Sequence, residues 1–194
     1  MSKKYYIMAL NEDSDCPTGF YYSVLAKDFE EIEGDYGRNP WYAGPKRYGG
    51  TLPSLPDELI LMEENNYRYD VRKGSRYFYI ISDKFEKCLS KIKHNFTEVK
   101  SVDCVDGKGN PRTDRFVFAA IPKKFKVEIC LDPSRSKLIS PRGIEYDSLH
   151  FKEEWDFDLF DILGISSSQA SLICSEEAKK IFEDHGIRCI KYIP

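Results

Sequence analysis

Apolar positions repeat with helical spacing in two stretches of the chain. Ile80-Ile81-Ser82-Asp83-Lys84-Phe85 resembles Ile173-Cys174-Ser175-Glu176-Glu177-Ala178, at an offset of 93 from Ile80 to Ile173. Beyond the first stretch, Phe85, Cys88, Leu89 and Ile92 follow i, i+3, i+4, i+7. Beyond the second, Ala178, Ile181, Phe182 and His185 do the same. That spacing lines up one stripe of a helix. Lys84, Glu86, Lys87 and Lys91, or Glu177, Lys179, Lys180 and Glu183, fill the polar side. The pattern predicts helices over 83–94 and 176–185. Ser82 and Ser175 are placed to cap the first free N–H groups, and Asp83 or Glu176 suits the positive end of the helix dipole. His94 and His185 fall in the last turn. Asn95 and Gly186 come next, the residue types that best tolerate a left-handed C′ position. Apolar strands are predicted after each helix, at 96–105 and 187–193. The chain therefore holds two strand–helix–strand units, 76–105 and 171–194.

Elsewhere the signals are strands and turns. Residues 5–10 and 21–25 are rich in aromatic and β-branched types and read as strands. From 34 to 56, Gly34, Gly37, Pro40, Gly44, Pro45, Gly49, Gly50, Pro53 and Pro56 exclude a helix or a central strand. Tyr36, Trp41, Tyr42 and Tyr48 are interleaved there, which suits a segment packed onto the rest. Residues 55–62 form a short apolar piece of either type. Asp106-Gly107 nucleates a turn over 105–111. Residues 115–121 and 125–131 read as two strands joined through Pro122-Lys123-Lys124, and Asp132-Pro133-Ser134-Arg135 as a turn. The segment 151–163 fits both periods, with a lean toward a strand running into a turn near Phe160. The expected fold class is α+β: a mostly antiparallel or mixed sheet, two serine-capped helices packed on it, and a Tyr/Pro/Gly-rich N-terminal covering region. The expected division is 1–72, a strand plus the irregular aromatic region in the same domain or a small lobe, and 73–194, the α+β core.

Charge narrows the function classes. The 194 residues carry 29 Lys and Arg against 32 Asp and Glu, a formal charge of −3. A nucleic-acid binder usually presents a basic face, so none is expected here. The apolar runs, such as 116–122, fall far short of the roughly 20 residues a bilayer needs, and the start lacks a secretory pattern. A cytoplasmic protein without a membrane partner is expected. Cys16, Cys88, Cys104, Cys130, Cys174 and Cys189 contain no C-x-x-C pair, so no metal knuckle is expected. They read as small buried hydrophobes in a reducing compartment.

Candidate chemistry lies mainly in acids. His94 and His185 are accounted for at helix ends, and His150 has no acid or nucleophile at a recognisable spacing. Ser166-Ser167-Ser168 lacks the glycines of a nucleophile elbow, and Gly107-Lys108-Gly109 is no phosphate loop. No cofactor is expected. Asp28, Glu30, Glu31, Glu33 and Asp35 form one acidic run. Glu153, Glu154, Asp156, Asp158 and Asp161 form another, interleaved with Trp155, Phe157 and Phe160. Such runs are usually solvated faces. The functional reading is a negative surface with aromatic anchors that steers a basic protein partner. Glu153, Glu154, Trp155, Asp156, Asp158 and Asp161 are its candidate contacts. A calcium loop at Asp156 and Asp158 lacks the required glycine and downstream glutamate. Two alternatives stand beside this reading. One is a small hydrolase or transferase using Cys174 or Ser175, since a helix N-terminus lowers a thiol pKa. The other is a self-associating scaffold, a homodimer for instance, using the Tyr-rich 36–48.

Leu131-Asp132-Pro133-Ser134, an acidic-aromatic stretch ending Asp158-Leu159-Phe160-Asp161, Leu172-Ile173-Cys174-Ser175-Glu176-Glu177-Ala178-Lys179 and Gly186-Ile187-Arg188-Cys189-Ile190-Lys191 occur in that order. With the Tyr-rich opening Tyr5-Tyr6-Ile7-Met8, this resembles an immunity-protein family of bacterial polymorphic toxin systems, the one often numbered eleventh and first catalogued as a domain of unknown function. The resemblance spans most of the chain, is thin over 12–69, and leaves Arg142-Gly143 unmatched. It implies a cytosolic antidote that binds a cognate protein toxin encoded nearby and blocks its active site. It implies no catalytic residues.

Overall fold

The structure, a computed structural model, describes residues 3–11, 16, 23–27, 54–63, 68–74, 78–114, 117–140, 145–163 and 172–194. The aromatic stretch around Tyr36, Trp41, Tyr42 and Tyr48, the acids Asp28 to Asp35, Arg142-Gly143 and Ser166-Ser167-Ser168 lie outside the described residues. In chain order the first strands are β1 (Tyr5–Leu10), β2 (Ser23–Ala26), β3 (Ile60–Glu63), β4 (Val71–Lys73) and β5 (Tyr79–Ser82). Helix α1 (Asp83–Leu89) follows directly, then β6 (Phe96–Val105), β7 (Val117–Pro122) and β8 (Phe125–Lys126). A short helical turn, α2 (Val127–Cys130), precedes a hairpin of β9 (Lys137–Ser140) and β10 (Glu145–Ser148). The chain continues with β11 (Leu159–Leu163), β12 (Leu172–Ser175), α3 (Glu176–Asp184) and β13 (Ile190–Ile193).

The fold is α+β. One sheet has the order β13-β1-β12-β11-β8, and the other has the order β2-β3-β6-β7-β5-β4. Pairing is antiparallel except at β3–β6 and β8–β11. The two strand–helix–strand units take one shape. In the first, β5 and β6 flank β7 and each runs antiparallel to it. In the second, β12 and β13 flank β1 in the same way. Parallel strands need a long crossover, and each helix supplies one. The strand between them comes from elsewhere in the chain. Residues on both sides of position 72 thus contribute to both sheets.

Alternation within the strands sorts the core. Tyr79 and Ile81 of β5, Leu172 and Cys174 of β12, and Tyr6 and Met8 of β1 join Phe85, Cys88, Leu89, Ala178 and Phe182 of the helices in one central cluster. Phe85 and Phe182 are fully buried and stack with centroids 5.0 Å apart. Truncating a phenylalanine so placed costs about 3–5 kcal/mol. The opposite strand faces feed two flanking clusters. Ile80, Val117 and Ala119 lie in one; Phe160, Ile162 and Ile173 lie in the other.

Several expectations change. The first helix ends at Leu89, not His94, with Ser90 as its C-cap. The cause is long-range. The Lys93 N–H donates to an Asp158 carboxylate oxygen, and the Lys93 carbonyl accepts from the Asp158 and Leu159 N–H groups. A helical Lys93 would need that N–H for Leu89. His94 instead bridges Leu159, and Asn95 is buried with its N–H on the Leu159 carbonyl. Asn95 is not left-handed: among the described residues Cys189 (φ 66°) is the one non-glycine with positive φ. The second helix follows its pattern, with His185 as C-cap and Gly186 at φ 60°.

The strand expected over 125–131 is two residues of β8 and then α2. Val127, Cys130 and Leu131 are buried while Glu128 and Ile129 are exposed, which is i, i+3, i+4 spacing, and the Leu131 N–H closes on the Val127 carbonyl. In 151–163 the order is reversed from expectation. A turn at Glu153-Glu154 comes first, and the strand begins at Leu159 and includes Phe160. The cysteines are not all thiols. Cys16 and Cys189 form a disulfide with a Cα–Cα distance of 5.4 Å across 173 positions, while Cys88, Cys104, Cys130 and Cys174 are buried and outside any disulfide. Only folding brings that pair together, so spacing carried no sign of it. Among the described residues no helix is long and apolar enough to cross a membrane.

Candidate functional site

The acidic-aromatic segment divides into an outer and an inner set. Glu153 and Glu154 sit exposed on a turn closed by the Trp155 N–H on the Lys152 carbonyl. Neither carboxylate has a hydrogen bond or ion pair among the described residues. Asp156 is also exposed but is bonded to the Lys93 ammonium, which holds its carboxyl below the usual carboxylate range. Trp155 turns inward. Its ring packs edge-on against Phe125 (4.8 Å) and Phe160 (5.2 Å), and its carbonyl accepts from the Tyr5 hydroxyl. Trp155 and its aromatic neighbours are therefore a platform under the turn, with little surface to offer a partner.

Asp161 is fully buried on β11. Its Oδ2 accepts from the Tyr79 hydroxyl at 3.0 Å and lies 3.1 Å from the Lys124 ammonium. Tyr79 belongs to the other sheet, so this pair ties the two sheets together. A buried carboxylate requires such partners, because an unpaired charge there is very costly.

Asp158 is a latch on a helix cap. Ser175 caps α3 by accepting the Ala178 N–H, and donates its own hydroxyl proton to Asp158 Oδ1 at 2.9 Å. Asp158 Oδ2 accepts the Lys93 N–H at 3.0 Å, and Lys3 pairs with Oδ1 at 2.9 Å. Burial works against the Asp158 charge. The Lys93 N–H, the Lys3 ammonium and the Ser175 hydroxyl outweigh it and hold the carboxyl below its ordinary range. Burial, then the charges of Asp158 and Asp156, push the Tyr5 hydroxyl pKa up, so Tyr5 stays a donor.

The same latch occurs in the other unit. Ser82 caps α1 by accepting the Phe85 N–H and donates to Asp70 Oδ1 at 2.6 Å. Asp70 Oδ2 accepts the Arg188 N–H at 2.6 Å and pairs with Lys84 at 3.0 Å. The backbone repeats as well: the Ser82 N–H reaches the Asp70 carbonyl, and the Ser175 N–H reaches the Asp158 carbonyl. Lys93 follows α1 and Arg188 follows α3. Each aspartate thus joins the start of one helix to the segment after the other. Asp70, Lys3 and Lys93 were not singled out from the sequence. Asp70 precedes its serine by 12 positions and Asp158 by 17, so no fixed spacing marks the pair.

The nucleophile candidates sit in the same place. Cys174 is fully buried, and burial pushes its thiol up to about 12. That is opposite to the shift a reactive thiol needs. The Ser175 hydroxyl is committed to Ala178 and Asp158. His185 Nδ1 contacts the Ile181 carbonyl and Nε2 the Lys91 ammonium, while His94 Nδ1 accepts the Phe96 N–H. Among the described residues no three His, Cys, Asp or Glu side chains gather where they could hold a metal ion. The site presents two carboxylates, unpaired among the described residues, on a turn supported by packed rings. No protein-family model matches the chain, and no curated protein matches it.

Proposed function

We propose that this chain is an immunity protein, an antitoxin that binds a cognate protein toxin domain in the cytoplasm and occludes it stoichiometrically, with no bond made or broken. The observation that carries the reading is the Glu153-Glu154 turn. It presents free negative charge on a support of Trp155, Phe125 and Phe160, so little ordering is needed on binding. The resemblance noted in the sequence points the same way. A basic toxin cleft is the complementary surface. Steering by the paired carboxylates acts mainly on the association rate.

The test uses the product of the neighbouring gene, co-expressed and co-purified with this chain. A 1:1 complex that abolishes the neighbour's toxicity is expected. Within that complex, Glu153→Lys with Glu154→Lys should slow association by about tenfold at low salt and flatten its salt dependence. Asp158 is left out of this pair because its carboxylate is engaged with Ser175, Lys93 and Lys3. A harmless neighbour that forms no complex refutes the antitoxin reading. A complex whose rate ignores the double charge reversal removes the turn from the interface.

A further inference from the structure

Cys189 stands where the helix-to-strand connection after α3 meets β13. It is buried, it is bonded to Cys16, and its backbone occupies the left-handed region at φ 66°. Side-chain-bearing residues rarely adopt that region. Three links hold it there: the disulfide, the Asn11 N–H on the Cys189 carbonyl, and the neighbouring Arg188 N–H on Asp70. Among the described residues the strand that follows has one neighbour. β13 pairs with β1, from Ile7↔Ile193 to Leu10↔Ile190, and forms the outer edge of its sheet. Edge strands open more readily than central ones, and this one is fastened at its start by a bond that chemistry can break.

We propose that the Cys16–Cys189 disulfide is a redox latch on the β13 edge strand. In the oxidised state β13 covers the edge of β1. Reduction by a dithiol breaks the S–S bond. Two electrons and two protons pass from the dithiol, two thiols form, and the reductant is left as a disulfide. One of the three links is lost, Cys189 is free to leave the left-handed region, and β13 loosens from β1. The N–H and C=O groups of β1 then become open to a pairing strand. Thiol systems of the cytoplasm keep cysteines reduced, so the loosened form is expected in the cytoplasm and the latched form in an oxidising compartment, whether or not the antitoxin reading holds.

The whole chain, purified without reductant, is the sample. Mass spectrometry after alkylation should find four thiols and one disulfide, the latter in a Cys16–Cys189 peptide. Hydrogen exchange is then compared before and after treatment with dithiothreitol. Amides of β13 and Asn11 should exchange at least about tenfold faster in the reduced protein, while those of α1 and β7 keep their protection. Cys16→Ser should reproduce the reduced pattern without reductant. Adding Cys189→Gly to that variant should raise stability relative to Cys16→Ser with Cys189→Ala, because glycine accepts the positive φ. Six alkylatable thiols in the unreduced protein overturn the proposal. So does equal β13 protection in both states, or a loss of protection throughout the molecule on reduction.

Discussion

Removing the Asp158 carboxylate tests the idea that this residue is a structural latch. In Asp158→Ala the Lys93 N–H and the Ser175 hydroxyl lose a charged acceptor, and Lys3 loses its ion pair while keeping the Asp156 carbonyl. A partly buried donor left without an acceptor costs about 1–3 kcal/mol. The Lys3 pair, with Lys3 one-third exposed, adds little. A total of about 2–6 kcal/mol is expected, a large part of the 5–15 kcal/mol typical of a domain. Urea unfolding at pH 7, followed by tryptophan fluorescence, measures it. The pH dependence follows from the depressed pKa of Asp158. Its stabilisation is fully present above the unfolded value of about 4 and is lost as pH falls through the lower folded value. The gap between wild type and variant should therefore narrow as pH falls below about 4. Asp70→Ala should cost a similar amount of stability at pH 7, since Asp70 holds Ser82 and Arg188 in the same manner. A loss below about 0.5 kcal/mol, the range of an ordinary surface substitution, refutes the latch, and so does a gap that does not change with pH.

The other tests are simpler. Gly186 has φ 60°, and a Cβ there meets nothing within 4 Å, so Gly186→Ala isolates the backbone cost. About 1 kcal/mol lower stability is expected in the same unfolding assay, and an unchanged midpoint contradicts the C′ assignment. Cys174 should resist iodoacetamide at pH 8 in the native protein and react promptly in denaturant, because burial keeps it protonated and enclosed. Native labelling at the rate of a free thiol would reopen it as a nucleophile.

The local grammar of both helices was legible in the chain. Ser82 and Ser175 cap as their spacing implies, Phe85, Cys88, Leu89, Ala178 and Phe182 face inward, and Gly186 is left-handed. Those signals act within one or two turns of backbone, so sequence alone carries them. The α+β class follows for the same reason, from strands and helices each recognisable by period. The point where α1 stops was not legible, because Lys93 spends its N–H on a carboxylate 65 positions away. Nor was the division of the acidic segment. Five acids look alike in the sequence, yet the fold assigns Asp158 to a cap, Asp161 to the seam between sheets, and Glu153 and Glu154 to water. The Cys16–Cys189 bond, and the placing of β1 between β12 and β13, depend on which surfaces meet. Periodicity decides which side of an element is apolar. Only packing decides what lies opposite, and with it which polar groups are desolvated and must find a partner.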